Sequence, residues 1–431
     1  MKKILSIALV ALLAASTVFA GFSGKATLSL GYDTTSKAFG LANGKGTSAT
    51  VELAADTAEV VGEGDIYAGI KATMQVAVKP SKSGAAVNIY DTSKGEGFGI
   101  WMSVKEAYVA GQDWKVSILG GKSAPDYATS AIDGSWSGEV KDAFGFVYDS
   151  SWVADSYALS TWNGAGVTVT AKDWTVAGGF NGVVDGDVGF SAFVETPAFS
   201  FDGGSVKAAA IVAKDGHKGA DKKYDSLDKT NVGISAKADY ATDAFSAAVA
   251  ADFGFENVTD EAEINFDAAA NVTFAPVAVD VYFAREAGSN YLSAKAAAEY
   301  EGIYGDVFAQ DILGDDITIG ADAEYTVDAI TVGAGLWMTT KSKALEVSAN
   351  AKYAAEKFTA KAGVTFGTNL EAEDKAYFFM TGSVESDAII NGATLSLTYG
   401  KDSENNKMNF LADQARAQNF GAVTAKCSIA F

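Results

Sequence analysis

Apolar and polar side chains alternate one by one along much of this 431-residue chain, and no other feature constrains the fold as strongly. A period of two puts successive side chains on opposite faces of an extended strand. Over 25–33, Ala26, Leu28, Leu30 and Tyr32 share one face while Lys25, Thr27, Ser29 and Asp33 share the other. Over 261–274 the sorting is stronger: Ala262, Ile264, Phe266, Ala268, Ala270, Val272 and Phe274 oppose Glu261, Glu263, Asn265, Asp267, Asn271 and Thr273. A strand of a soluble core does not carry so many charges. The pattern returns with Ile317, Ile319, Ala321, Ala323 and Tyr325 against Asp316, Thr318, Asp322 and Glu324, and with Leu345, Val347, Ala349, Ala351 and Tyr353 against Glu346, Ser348, Asn350 and Lys352. Strands of this kind suit a wall with lipid on one side and water on the other.

The first twenty residues stand apart from that pattern. Lys2 and Lys3 precede an apolar run from Ile4 to Ala15, and Val18-Phe19-Ala20 places small side chains at the two positions a signal peptidase reads. Residues 1–20 are therefore expected to be a cleaved secretory leader, with the mature chain starting at Gly21. The residue directly after the expected cut is Gly21 rather than Cys, so lipid attachment by the lipoprotein route is not expected. The single Cys, Cys427, cannot form an internal disulfide, so an exported chain must draw its stability from backbone pairing and packing. Past the leader no apolar stretch approaches the roughly 18 residues of a membrane helix. Membrane strands of about 9–11 residues escape that test, because alternation leaves their average hydropathy ordinary.

Turn signals divide into two kinds. Short ones lie at Gln112-Asp113, Lys172-Asp173, Thr242-Asp243, Ala275-Pro276, Glu301-Gly302, Val327-Asp328 and Glu356-Lys357. Longer polar or Gly-rich connections fall between them, at 34–46, 79–97, 122–141, 214–229, 368–374 and 401–418. An up-and-down meander with a short-turn rim and a long-loop rim produces this alternation. Tyr240, Phe245, Tyr300, Tyr325, Tyr353 and Phe358 gather near segment ends, as interfacial girdles require. The expected fold is all-β: a single transmembrane antiparallel up-and-down β-barrel over 21–431, with short periplasmic turns and longer extracellular loops. Its strands number about 18–24, with 24 as the literal count and both termini on the short-turn side. The count falls if 157–162 and 197–203 are loop insertions. No composition break divides the mature chain, and closure removes exposed sheet edges.

Without the two leader lysines, 31 basic residues face 54 acidic ones, which moves the net charge from −21 to −23. That sign argues against nucleic acid as a partner. Catalysis is not expected either: His217, the one His, sits in the polar connection 214–229 with no second His to share acid–base work. Cys427 falls on the lipid-facing parity, where it packs as a small hydrophobe. Asp315-Asp316 and Asp260-Glu261 lack the ligand spacing of a calcium loop and are read as solvated turns, so neither metal nor cofactor is expected. Asn163-Gly164, Asn181-Gly182 and Asn391-Gly392 are read as tight hairpin turns.

The informative charges are those of the polar parity: Glu52, Lys71, Lys237, Asp239, Asp252, Glu263, Asp267, Asp280, Asp322, Glu324, Glu346, Lys352 and Lys361. As pore-lining groups they imply a hydrated channel for small hydrophilic solutes and ions. Laced into Lys–carboxylate pairs, they would instead stiffen the wall and partly block it. Acids outnumber bases among them, so a weak cation preference is expected.

The last segment, 420–431, sets Val423, Ala425, Cys427, Ile429 and Phe431 against Thr424, Lys426, Ser428 and Ala430. It resembles the C-terminal signal of outer-membrane β-barrel proteins, which implies outer-membrane lipid as the surroundings and reading of Phe431 and Ile429 by the β-barrel assembly machinery. The run 105–122, KEAYVAGQDWKVSILGGK, is similar to a strand-turn-strand of general bacterial porins. That resemblance implies that Lys122 takes their basic position and that 123–141, with Asp126, Asp133 and Glu139, folds inward as a constriction loop. It implies a homotrimer as well, although Gln112-Asp113 departs from the family's Gly-rich turn. From GFSGKATLSLGYD onward, Ala-rich strands and only four prolines resemble the major outer-sheath porins of spirochaetes, which are proposed to combine pore and adhesin roles. Together these features point to a general diffusion porin exposed at the cell surface. The alternative is a surface adhesin or structural array protein that binds ligands through its long loops. A third reading, a soluble exported β-sandwich or solenoid, is opposed by Phe431 and the aromatic strand ends.

Overall fold

The computed structural model describes residues 23–33, 38–41, 48–56, 66–79, 97–119, 127–128, 165–182, 188–214, 230–256, 258, 263–286, 289–341, 343–369, 377–399 and 422–430. Every helix-or-strand element among them is a strand. The first half holds β1 (Ser23–Asp33), β2 (Ala38–Leu41), β3 (Ser48–Asp56), β4 (Tyr67–Lys79), β5 (Gly97–Gly111), β6 (Trp114–Leu119), β7 (Ala165–Ala171), β8 (Trp174–Gly182), β9 (Val188–Glu195), β10 (Phe199–Phe201), β11 (Gly204–Lys214) and β12 (Thr230–Ala241). The second holds β13 (Ser246–Glu256), β14 (Glu263–Phe274), β15 (Val277–Glu286), β16 (Ser289–Tyr300), β17 (Ile303–Gln310), β18 (Thr318–Val327), β19 (Ile330–Thr339), β20 (Ala344–Ala354), β21 (Thr359–Asn369), β22 (Tyr377–Ile390), β23 (Ala393–Tyr399) and β24 (Ala422–Ala430).

These segments form one antiparallel sheet in up-and-down order. β2 and β3 lie end to end beside β1, with Leu30↔Leu41 and Ala26↔Ala49 in register. β9 and β10 lie end to end beside β11, with Ala210↔Val194 and Phe199↔Val206. Pro197, which has no N–H for the ladder, stands at that interruption. Because two pairs of segments each share one lateral position, the 24 described segments occupy twenty-two positions across the sheet. β1 is flanked by β3 on one side and by β24 on the other, with Ala26↔Ile429, Leu28↔Cys427 and Leu30↔Ala425. The first and last strands are therefore neighbours.

Tight turns join the strands along one rim. Lys172 and Asp173 (φ 48° and 66°) and Glu301 and Gly302 (φ 49° and 80°) put both central residues in the left-handed region, the hairpin geometry that matches strand twist. At Gly302 a side chain would also meet the Thr326 carbonyl oxygen, 2.5 Å from an added Cβ. Asp328 and Gly392 carry positive φ in the same rim, the latter as Asn391-Gly392 leads one to expect. Asn181 and Gly182 do not form a hairpin turn: they are the last two residues of β8, paired with Gly189 and Val188. The ladder has captured them because their neighbours on both strands continue to pair. The stretch 197–203 is not a loop insertion but carries the short strand β10 before a turn at 202–203.

Burial inverts the usual order. Among the described residues, the largest side chains with under 2% exposure are Glu346, Thr318, Asp252 and Asp267. Val249, Phe253, Val279, Val307, Leu336, Val347 and Val364 are exposed. From β11 to β21 the exposed parity is dominated by Ala, Val, Ile, Leu and aromatic residues, and the charged residues at that parity, Lys214 and Arg285, stand at the long-connection ends of their strands. The polar face is the enclosed one.

Candidate functional site: the enclosed polar face

Lys237, Asp239, Asp252, Asp267, Asp280, Asp322, Glu324, Glu346, Lys352 and Lys361 all occupy the face opposite the exposed apolar side chains. Glu52, Lys71 and Glu263 hold positions in β3, β4 and β14, Lys71 in register with Glu106 and Glu263 with Glu256. Lys122, Asp126, Asp133, Glu139 and Phe431 lie outside the described residues, as do His217 and the stretch 157–162. Ile429 is in register with Ala26 on one side and Ala393 on the other. Sequence reasoning passed over Glu106, Lys115, Glu195, Lys207, Lys295 and Asp306, which share the polar face. Alternation around Glu195 and Lys207 is masked by the apolar Phe193, Ala209 and Ile211, which are enclosed on the same face.

The most elaborate contacts tether part of the β6–β7 connection to the wall. The Tyr127 hydroxyl donates to Glu195 Oε1 at 2.8 Å. Lys207 pairs with the same carboxylate and lies 6.0 Å from the centre of the Tyr127 ring. The Ala128 N–H donates to Asp252 Oδ2 at 2.9 Å, while the Ser235 hydroxyl donates to Asp252 Oδ1. Ala128 is fully buried, and Glu195 and Asp252 nearly so. Lys207 of β11, Ser235 of β12, and Tyr127 and Ala128 of this connection thus meet around two enclosed carboxylates, Glu195 of β9 and Asp252 of β13. Burial, and then the hydrogen bond to Glu195, push the Tyr127 phenol upward, so it stays a donor.

Other polar-face charges are arranged as local pairs. Lys115 pairs with Glu106, which also accepts the Ser117 hydroxyl at 2.6 Å, and Lys115 Nζ sits 4.2 Å from the Tyr108 ring centre. Lys295 Nζ lies 3.4 Å from Asp306 Oδ2, which accepts the Tyr304 hydroxyl at 2.6 Å. Tyr282 donates to Asp267 at 2.9 Å, Asn271 donates to Asp280, and Lys237 Nζ is 3.2 Å from Asp239. Asp252 and Asp267 face each other in register, as do Asp306 and Asp322. Each of Asp252, Asp267 and Asp306 is held by a side-chain donor, which is what enclosed carboxylates require. Among the described residues no group of three or more His, Cys, Asp or Glu is placed to hold a metal ion.

An antiparallel sheet whose end strands pair, with apolar side chains outside and charges enclosed, defines the class of an inside-out β wall. No protein-family model and no curated protein matches the chain. Among solved structures it is similar to the translocation pore of the P pilus usher PapC, with a TM-score of 0.39, 8% identity, and 95% of this chain and 98% of that one covered. It is also similar to mutants of the Rhodopseudomonas blastica porin, at a TM-score of 0.33 with 11% identity over 58% of this chain and 93% of that chain, and at 0.34 with 12% identity over the same shares. At these TM-scores the likeness carries no argument, and the architecture rests on the strand pairings.

Proposed function

We propose that this chain is a channel-forming β-barrel of a bacterial outer membrane, a general diffusion porin for small hydrophilic solutes and ions. One observation carries the reading: the exposed face is apolar while the enclosed face bears Glu195, Asp252, Asp267, Asp306, Asp322 and Glu346. In water that arrangement is unfavourable on both faces, whereas in a bilayer it is favourable on both. Strands of 10–12 residues from β12 to β16 have the length a membrane crossing needs. The enclosed face becomes the lumen, and the Tyr127–Ala128 contacts support the reading of 123–141 as a constriction loop. In this reading residues 1–20 are the export leader, Phe431 and Ile429 are read by the assembly machinery, and the barrels associate as trimers. The Ala-rich texture that resembles spirochaete outer-sheath porins fits the same role. Excess acid on the polar face favours cations weakly.

The test is single-channel recording of refolded protein in a planar bilayer, repeated across a salt gradient. Stepwise conductance with a reversal potential on the cation side is the expected result. Folded protein that inserts and passes no current would overturn the channel reading, and an anion-side potential would overturn the selectivity.

A further inference from the structure

Most described lysines on the polar face have a carboxylate: Lys115 has Glu106, Lys207 has Glu195, Lys237 has Asp239 and Lys295 has Asp306. Lys352 and Lys361 are arranged differently. They are direct cross-strand partners on β20 and β21, both exposed, and among the described residues neither side chain takes part in an ion pair or hydrogen bond. Like charges set directly opposite each other in a sheet repel. Their row continues in register to Thr331 on β19 and Ser383 on β22, giving the order hydroxyl, ammonium, ammonium, hydroxyl across four strands. Lys352 is two residues from the end of β20 and Lys361 two residues past the start of β21, so the row lies just inside the tight-turn rim. The nearest acid in the register, Glu385, is in register with Thr359, one step along the same face. On a chain with a formal charge of −21, two opposed, unshared cations flanked by hydroxyls form a local anion-attracting spot.

We propose that Thr331, Lys352, Lys361 and Ser383 form a binding site for a small multivalent oxyanion of the phosphate type at the tight-turn mouth of the polar face. A tetrahedral dianion between the two ammonium groups would replace their repulsion by two charge-assisted hydrogen bonds, with the hydroxyls filling further oxygens. The site rests on the reading of that face as water-filled.

Inorganic phosphate is titrated into the refolded full-length protein in detergent, and binding is followed by phosphorus NMR line broadening, which needs no current. Saturable binding is expected, weakened about tenfold or more by Lys352→Gln and again by Lys361→Gln, because each removes one charged donor. Lys352→Arg with Lys361→Arg should retain it, and Lys237→Gln, whose lysine has its own carboxylate, should leave it unchanged. Heat-modifiable gel mobility identifies the variants that are folded. Absent phosphate binding, or equal binding by the folded double glutamine variant, overturns the site. Protein that binds phosphate through these lysines yet conducts nothing in a bilayer upholds the site and overturns the channel reading instead.

Discussion

Asp252 is stable in its enclosed position because the Ser235 hydroxyl and the Ala128 N–H both donate to it. Asp252→Ala strands both donors, at a cost of about 1–3 kcal/mol for a buried unsatisfied group. Amide exchange at Ala128 should accelerate and the urea midpoint should fall; unchanged exchange at Ala128 would mean that something other than this bond holds the connection. Asp311, in the turn after β17, presents the opposite balance. Burial first, then the neighbouring Asp316 and Asp315, raise its pKa above the usual 3.8, so the folded state holds its proton more tightly than the unfolded state does. Stability contributed there is present at low pH and is lost as pH rises from 3.8 through the raised value. Asp311→Asn tolerates the left-handed backbone (φ 51°) and should remove that dependence, which urea midpoints across the window will read.

A strand works here as a two-sided element, so the effect of a charge depends on which side receives it. Val249, the fourth residue of β13, is 52% exposed on the apolar face. Val249→Arg should cost about 2–4 kcal/mol if that face meets the bilayer midplane. Asn350→Lys, on the polar face opposite Gly363, should cost far less. Refolding titrations into lipid vesicles compare the two, and equal costs would contradict the assignment of faces. Aromatic residues at the tight-turn rim mark the end of the apolar band: Trp174 contacts Phe199, Phe245 contacts both Tyr240 and Phe274, and Tyr353 contacts Phe358. Rings with an apolar body and, for Tyr and Trp, a polar tip settle where hydrocarbon gives way to headgroups.

The whole molecule depends on the pairing of its ends. β1 and β24 are separated by nearly the whole chain, yet Ser29 and Lys426 are direct partners. Cross-strand partners lie within disulfide range. In a Cys427→Ser background, Ser29→Cys with Lys426→Cys should therefore oxidise to an intramolecular bond at any protein concentration. Cross-linked dimers that grow with concentration would show instead that the two strands are free edges pairing between molecules.

Alternation makes the wall legible in the sequence itself. Period two settles which side chains share a face, and short turn signals such as Lys172-Asp173 and Glu301-Gly302 settle where strands reverse, because both are local properties of the backbone. Polar parity likewise located Asp252, Asp267, Asp322 and Glu346. What it could not supply is distance across the sheet. The meeting of Tyr127 with Glu195, of Ala128 with Asp252, and of β1 with β24 joins residues 68, 124 and about 400 positions apart. No local period encodes such contacts, and Glu195 and Lys207 were hidden because apolar neighbours share their enclosed face. The chain by itself determined a two-faced antiparallel wall. Only the tertiary structure decided that its ends meet, which enclosed charges pair, and that Lys352 and Lys361 are left facing each other, because register between strands, rather than sequence spacing, sets which side chains touch.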